Sequence, residues 1–377
     1  MSIEGPIQTN NSGLIFYFDS KEPKSYAGKP TTNYLTAALT PNSATKESFT
    51  GTITENSIIA PDGTLTAHRF QVTSGYVYQT LTIPVGTTVT YSVWIKTLDV
   101  VSTTSYGPYI WNYNSPTYGI VARDLSGVGL DWKRMSMTYT TLSHQSSFAI
   151  SYAGTNGGMQ GLYALWRPQL EYSLSATPFV NGTRSNTQGL LDLVGGSTID
   201  LTNAGYNAYS EITFNGSSNY VPTASITLGN SFTISAWFNS SGVSGDTVII
   251  GTDANGCDNW FGVSSGYLYG FVTQIADVNN FTFEGATALN NNQWYYGSIV
   301  VTPNTVKLYL NGKQDYSTTT GFTIGAWDGT FSIGRRCPSV AQRFFNGKIE
   351  TISMYNRALS ASEILKNFNS QRSRYNV

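Results

Sequence analysis

Charge is what this chain has least of. Lys, Arg, Asp and Glu together make up 11% of its 377 residues, against about 25% in ordinary soluble domains. The 21 basic and 22 acidic side chains nearly cancel, leaving a net charge of −1. No basic cluster exceeds the pair Arg335 and Arg336, so nucleic acid is not an expected partner. The two cysteines, Cys257 and Cys337, are too few for a disulfide framework and lack metal-site spacing. They read as free thiols of a chain made in cytoplasm, with a pairing in space left open. Only two histidines occur, His68 and His144. No Gly-x-Ser-x-Gly elbow, His-Glu-x-x-His helix or phosphate-binding glycine loop accompanies them, which argues against a Ser or Cys triad. His68 lies in a strand-like run and reads as structural. The longest apolar runs are strand-length, so no membrane partner is expected. The first residues lack a basic region followed by an apolar one, so no secretory signal is expected.

Aromatic and β-branched residues are plentiful, with aromatics at 14% and apolar residues at 40%. With so few charges, Ser, Thr, Asn, Gln and Tyr must supply the polar surface. Such a surface suits sugar contacts or packing into a larger assembly, and the plainer reading is a generic sandwich surface. Residues 88–96, 231–238 and 305–310 alternate polar and apolar side chains with period two, the mark of strands with one buried face. Trp94, Trp237 and Trp294 fall on such patterns and read as core. Asn-Gly recurs at Asn156, Asn181, Asn215, Asn255, Asn311 and Asn346, each a candidate turn, with Asn311-Gly312 the strongest. Ser360 and Glu363 have capping-box spacing ahead of an apolar stripe of Ile364, Leu365 and Phe368. They predict one short helix, from about 361 to 369, with a polar, peripheral tail after it.

The two ends of the chain look like parts of one fold, and the middle like a guest. Residues 13–19 and 347–355 both read as strands of the same sandwich. Polar joints at 24–33 and 177–186 bound the segment between them. The fold class expected is all-β: two antiparallel β-sandwiches (jelly rolls), the second inserted after the first strand of the other, with one short C-terminal helix. The domains are an N-terminal arm at 1–12, a discontinuous sandwich at 13–29 plus 184–377, and an inserted sandwich at 30–183. A guest with neighbouring termini can enter a surface loop with little disturbance to its host.

Several motifs carry a family resemblance. Residues 13–19 with 23–26, then 212–221, 232–238, 306–313, 331–336 and 345–360, resemble the laminin-G-like, concanavalin A-like jelly rolls of tailed-phage structural proteins. The guest, through 60–67, 91–96, 132–134, 165–171 and 176–179, resembles carbohydrate-binding-module-type sandwiches, also frequent in phage virions. Both folds host binding proteins, scaffolds and some hydrolases, so fold alone does not assign function. The resemblance implies a non-enzymatic structural or adhesion protein on the virion surface, made in the host cytoplasm. It would decorate the head or tail or form a fibre, and would bind host polysaccharide. Other virion proteins are the implied partners, with homo-oligomers expected and the arm at 1–11 a candidate anchor. One alternative is a purely structural decoration protein without sugar binding. Another is a glycan depolymerase, which would need two carboxylates a few ångströms apart; Glu211, Glu284 and Glu350 stand isolated in the sequence.

Sugar rings stack on aromatic faces while amides bond their hydroxyls. Tyr106, Tyr109, Trp111, Tyr113 and Tyr118 with Asn112 and Asn114 form one candidate glycan or interface cluster. Trp260, Tyr267, Tyr269 and Trp327 near Asn259 and Asp258 form another. The competing reading is that such runs fill cores. No catalytic residue and no cofactor are expected. Asp246, Asp253 and Asp258 are weak calcium candidates on a loop-rich stretch, and solvated turn acids are the plainer reading.

Overall fold

The computed structural model describes residues 11–99, 108–114, 118–124, 127–154, 159–253, 259–274 and 280–377. Two compact units emerge. One is built from the described parts of 1–30, 185–207 and 211–377, and the other from 31–184 with 208–210.

The first unit opens with β1 (Leu14–Asp19), which pairs antiparallel with the last strand of the chain, named β20 below. Phe16, Tyr17 and Phe18 are each at most 3% exposed. Burying a phenylalanine stabilises a fold by roughly 2–3 kcal/mol.

The second unit holds β2 (Thr45–Ile58), β3 (Ala67–Thr82), β4 (Thr88–Thr97), β5 (Tyr109–Asn112), β6 (Gly119–Arg123), β7 (Lys133–Thr140), β8 (Ser147–Gly154) and β9 (Gly161–Glu171). They form one continuous sheet in the order β6-β5-β8-β3-β9-β4-β7, with β2 also on β3. The 16-residue β3 serves both halves. Its first part pairs with β9 through Val72, and its second part pairs with β8 from Tyr76 onward. The change comes at Gly75, whose φ is +81° and where a Cβ would meet the Ser48 carbonyl oxygen at 2.2 Å. Only glycine fits there. The sheet closes over a core of Phe70, Val77, Tyr91, Val93, Ile95, Phe148, Ile150 and Leu165. The two ends of the unit pair with each other, Thr31 opposite Arg184 and Thr32 opposite Thr183. Beside them the buried Glu171 carboxylate accepts from Thr177 N (2.7 Å), Thr177 Oγ1 (2.7 Å), Gln169 Nε2 (2.7 Å) and Thr31 Oγ1 (2.9 Å).

The first unit resumes with β10 (Ile212–Asn215), β11 (Phe232–Ser240), β12 (Thr247–Thr252), β13 (Asn259–Ser264), β14 (Tyr267–Thr273), β15 (Asn280–Glu284), β16 (Trp294–Thr302), β17 (Thr305–Leu310), β18 (Lys313–Thr319), β19 (Phe331–Ile333) and β20 (Asn346–Tyr355). One sheet runs from the short strand Gly205–Tyr206 through β10-β20-β11-β16-β17-β18, with β1 on β20. The other runs from Val221–Pro222 through β19-β12-β13-β14-β15. Their inner faces meet in a single core that includes Ile234, Phe238, Ile299, Ile352, Ile250, Phe261 and Leu268. This is the all-β jelly-roll architecture expected, with the second unit lying in the sequence after the first strand.

The helix α1 (Ala361–Gln371) starts where the capping box places it, with Ser360 and Glu363 bonded reciprocally. It covers the outer face of the larger sheet, where Trp237, Tyr296 and Tyr355 pack on Ile364, Phe368 and Tyr375. The Asn311-Gly312 turn is as expected, with φ +49° and +77°. Asn346-Gly347 is not a turn; it opens β20, with Gly347 close against the Asn239 carbonyl. Asn156 and Asn255 lie outside the described residues. The tail is not peripheral either. Gln371 and Tyr375 are 1% and 5% exposed, because Trp237 Nε1 donates to Gln371 Oε1 at 2.7 Å and the Tyr375 ring stacks on Trp237 at 4.0 Å. Of the three tryptophans read as core, Trp237 is fully buried, while Trp94 and Trp294 are half-buried. Among the described residues no helix is long and apolar enough to cross a membrane.

His68 is buried in β3, its Nδ1 accepting from Asn56 N at 3.4 Å. Burial lowers its pKa, against the smaller raising effect of Glu55. Between that lowered value and about 6.5 the unfolded chain holds a proton that the folded chain does not. Stability is therefore full above that window and falls as pH drops through it. The second unit should melt at lower temperature as pH goes from about 7.5 to about 5.5, and His68→Gln should flatten the slope in a calorimetric pH series. An unchanged slope in the variant would assign the effect elsewhere.

Candidate ligand-binding site

Period-two alternation builds an aromatic face on the second unit. Ile110, Phe148, Ile150 and Val77 turn into the core. Their strand neighbours Tyr109, Trp111, Ala149, Tyr76 and Tyr78 therefore face the other way. These residues, with Tyr113, Tyr118 and Glu47, line a cleft of about 310 Å³. Ala149 lies opposite Trp111 in register, and its single methyl leaves room between larger neighbours. The rings form a contiguous wall. Trp111 meets Tyr118 edge-on at 5.3 Å and Tyr109 at 6.3 Å; Tyr113 lies 5.9 Å from Tyr118 and 6.3 Å from Tyr78. Tyr118 is 63% exposed. Flat apolar faces edged by hydroxyls suit a ring with one C–H face and polar substituents.

The polar edge is made by phenols and one acid. Tyr78 donates its hydroxyl proton to Glu47 Oε2 at 2.9 Å. The Tyr78 phenol is pushed up by its bond with Tyr113, by burial and by Glu47. Burial raises Tyr109 and Tyr113. All three stay protonated near neutral pH, and the Tyr78 proton is committed to Glu47.

Of the sequence candidates, Trp111, Tyr113 and Tyr118 are brought together here with Tyr109; Tyr106 lies outside the described residues. The asparagines are not ligand groups. Asn112 is fully buried and its amide closes on Asn114, while Asn114 Oδ1 accepts from Ser146 N and Ser147 N at 2.8 Å each. Both are consumed in holding the loop. Sequence reading missed Glu47, Tyr76 and Tyr78. The alternation of Tyr76, Val77 and Tyr78 puts both tyrosines on one strand face, but nothing in the sequence brings β2 and β3 into the sheet that holds β5 and β8.

The first unit does not assemble its expected cluster. Trp260 is 0% exposed, stacked on Tyr269 at 5.1 Å with the Arg343 guanidinium over it at 4.9 Å. Trp327 is 0% exposed and packs in the core on Phe232 at 4.8 Å. Neither can stack a sugar, because sheet and side chains cover both faces. Tyr267 and Tyr269 are half-buried on β14. Asn259 is buried too, bonded to Thr273 through both amide atoms.

The acids are held by the protein. Glu350 is 3% exposed and pairs with Lys21 at 3.2 Å; burial raises its pKa despite that partner. Glu211 pairs with Lys348 at 2.6 Å. Asp246 accepts from Ser264 Oγ at 2.6 Å and faces Arg343 at 3.6 Å. Asp253 accepts from Ser339 N and Oγ at 3.1 and 2.8 Å. Asp258 and Cys257 lie outside the described residues, and Cys337 is buried. Among the described residues, no three His, Cys, Asp or Glu side chains gather as a metal site would require.

Comparison with known proteins bears on the first unit. The family model Laminin_G_3, described as the concanavalin A-like lectin/glucanases superfamily, matches residues 215–365. The chain thus carries a domain of the kind expected there. No protein of curated function matches the sequence. Among solved structures, the chain is similar to the ligand binding domain of botulinum neurotoxin serotype D, determined with N-acetylneuraminic acid. The identity is 16% over 50% of this chain and 50% of that chain, with a TM-score of 0.39. Domain 4 of the arabinanase AbnA from Geobacillus stearothermophilus, determined with arabinotriose, gives 17% identity over 48% and 92%, with a TM-score of 0.37. A heptameric SAP-like pentraxin from Limulus polyphemus gives 17% over 41% and 78%, with a TM-score of 0.34. The chain spans about half the length of the neurotoxin structures it matches.

Because Trp260 is a packing residue, Trp260→Ala should cost the first unit about 3–5 kcal/mol in denaturant unfolding and leave ligand binding by the second unit unchanged. A cost below about 1 kcal/mol, or a loss of that binding, would restore it as a surface residue.

Proposed function

We propose that this chain is a non-enzymatic attachment protein of a tailed-phage virion, and that the aromatic cleft of its second unit binds host-surface glycan. The observation that carries the reading is the cleft itself. Its rings Tyr109, Trp111, Tyr113 and Tyr118 form a wall, edged by phenol donors and one carboxylate. Aromatic side chains offer large, rigid contact area with a polar edge. The phage assignment is supported by the motif resemblance at both units, and the concanavalin A-like match at 215–365 agrees with a binding role. Single contacts of this size are weak, and many copies on one particle multiply them. The absence of hydrolysis in this reading is supported by the acids: Glu350 is buried against Lys21 and Glu211 is tied to Lys348.

The test combines a glycan array with a reducing-end assay on intact full-length protein. Binding without release of reducing ends is expected. Tyr118→Ala removes an exposed ring and should weaken binding about tenfold, the usual order for an aromatic anchor, with the circular dichroism spectrum unchanged. Binding to particles lacking the protein, with no glycan affinity, would favour a decoration role. Release of reducing ends that Glu350→Gln abolishes would establish a depolymerase.

A further inference from the structure

Resting on the glycan reading above, we infer that the cleft selects a cationic sugar: a glycan carrying unacetylated amino groups, bound with its ammonium against Glu47 and the ring faces. Three features of the described lining point this way. Glu47 is the one charged side chain in it, and Lys, Arg and His are absent. Glu47 Oε2 accepts from Tyr78, while Oε1 makes no hydrogen bond among the described residues and is left for a donor. The remaining lining is six aromatic rings and a methyl, and ring faces carry the negative end of the aromatic quadrupole. Carboxylate and ring faces thus share one sign. They attract an ammonium and repel a carboxylate or sulfate.

A neutral sugar would gain the stacking but leave the carboxylate without a charged partner. An anionic sugar would face like charge with no cation in the lining to offset it. One cation lies beside the lining: Arg123 sits opposite Tyr109 in register and lowers its phenol pKa, so the preference rests on Glu47 and the ring faces outweighing it. Burial does most to raise Tyr109 and Tyr113, and the bond with Tyr113 does most to raise Tyr78; Glu47 adds to all three, while Arg123 lowers Tyr109 and the bond with Tyr78 lowers Tyr113. Such a site would favour partly de-acetylated hexosamine polymers over fully acetylated or uronate ones.

The experiment is titration calorimetry on the full chain with four ligands: glucosamine, N-acetylglucosamine and galacturonate oligomers of equal length, and choline. It is run at a pH where the glucosamine amines are protonated. The glucosamine oligomer should bind about tenfold or more tightly than its acetylated counterpart, and galacturonate should bind least. The preference should shrink with added salt. Glu47→Gln, which keeps an acceptor for Tyr78 on an exposed residue, should bring the glucosamine and N-acetylglucosamine oligomers to within about twofold of each other, since the charge carrying the preference is gone. Equal binding by the wild type, or a preference that survives Glu47→Gln, overturns cation selection while the glycan reading stands. Choline binding as tight as the glucosamine oligomer overturns the sugar half of the claim and leaves ammonium recognition alone. Failure of all four ligands to bind folded protein overturns cation selection, and the glycan array then decides the glycan reading by itself.

Discussion

A buried aspartate ties the two ends of this chain together. Asp19, at the end of β1, is 1% exposed. Its carboxylate takes both terminal nitrogens of Arg374, at 2.5 and 2.8 Å, and the Tyr17 hydroxyl at 3.1 Å. Tyr17 accepts from Gln371 Nε2 at 3.1 Å, and Gln371 accepts from Trp237. A charge so placed needs paired, hydrogen-bonded partners; besides the local Lys21 N–H at 3.0 Å, they come from Tyr17 on β1 itself and from the far end of the sequence. The backbone pairing of β1 with β20 would be a modest edge contact by itself. This network adds side-chain bonds from the chain's far end to that pairing. The other edge of β1 is occupied as well: Tyr17 N donates to Asp192 Oδ1 at 3.0 Å, and Leu193 N to the Tyr17 carbonyl at 2.8 Å.

That constraint lets a whole second sandwich sit between the first strand and the remainder of its unit. The second unit closes its own ends through the Thr31–Thr32 and Thr183–Arg184 pairing and the Glu171 network. Asp19 and Glu171, the buried acids at these two closures, thus find their partners within their own units. What remains for function is surface. In the first unit the large sheet's outer face is covered by α1. In the second, the outer faces of β3, β5 and β8 carry the aromatic cleft, where small Ala149 and large rings alternate in register.

Much of the fold was legible because period-two alternation and capping chemistry are local. Residues 13–19 and 347–355 announced two strands of one sandwich, and Ser360 with Glu363 announced the helix. The tail was misread because Gln371, Arg374 and Tyr375 look like surface residues until partners some 350 positions away are in place. Trp260 and Trp327 were misread for a related reason: alternation says which residues share a face, not what covers it. Half of the cleft was visible in the run from Tyr109 to Tyr118. The other half was not, since Glu47, Tyr76 and Tyr78 arrive through the strand order β5-β8-β3-β2, which no short-range signal encodes. The runs 60–67 and 165–171 make local contacts: Asp62 accepts from Thr64 N and pairs with Arg167, and Glu171 accepts from Thr177 Oγ1.

Native-state hydrogen exchange tests the central claim most directly. By antiparallel alternation the amides of Phe16 and Phe18 face β20, since Tyr17 N and Asp19 N are bonded elsewhere. Their opening free energy should equal that of the Ile352 and Met354 amides, so that β1 exchanges only when the first unit unfolds as a whole. Exchange of Phe16 and Phe18 at rates near those of an open chain, or in step with β3 and β8 of the second unit, would contradict it.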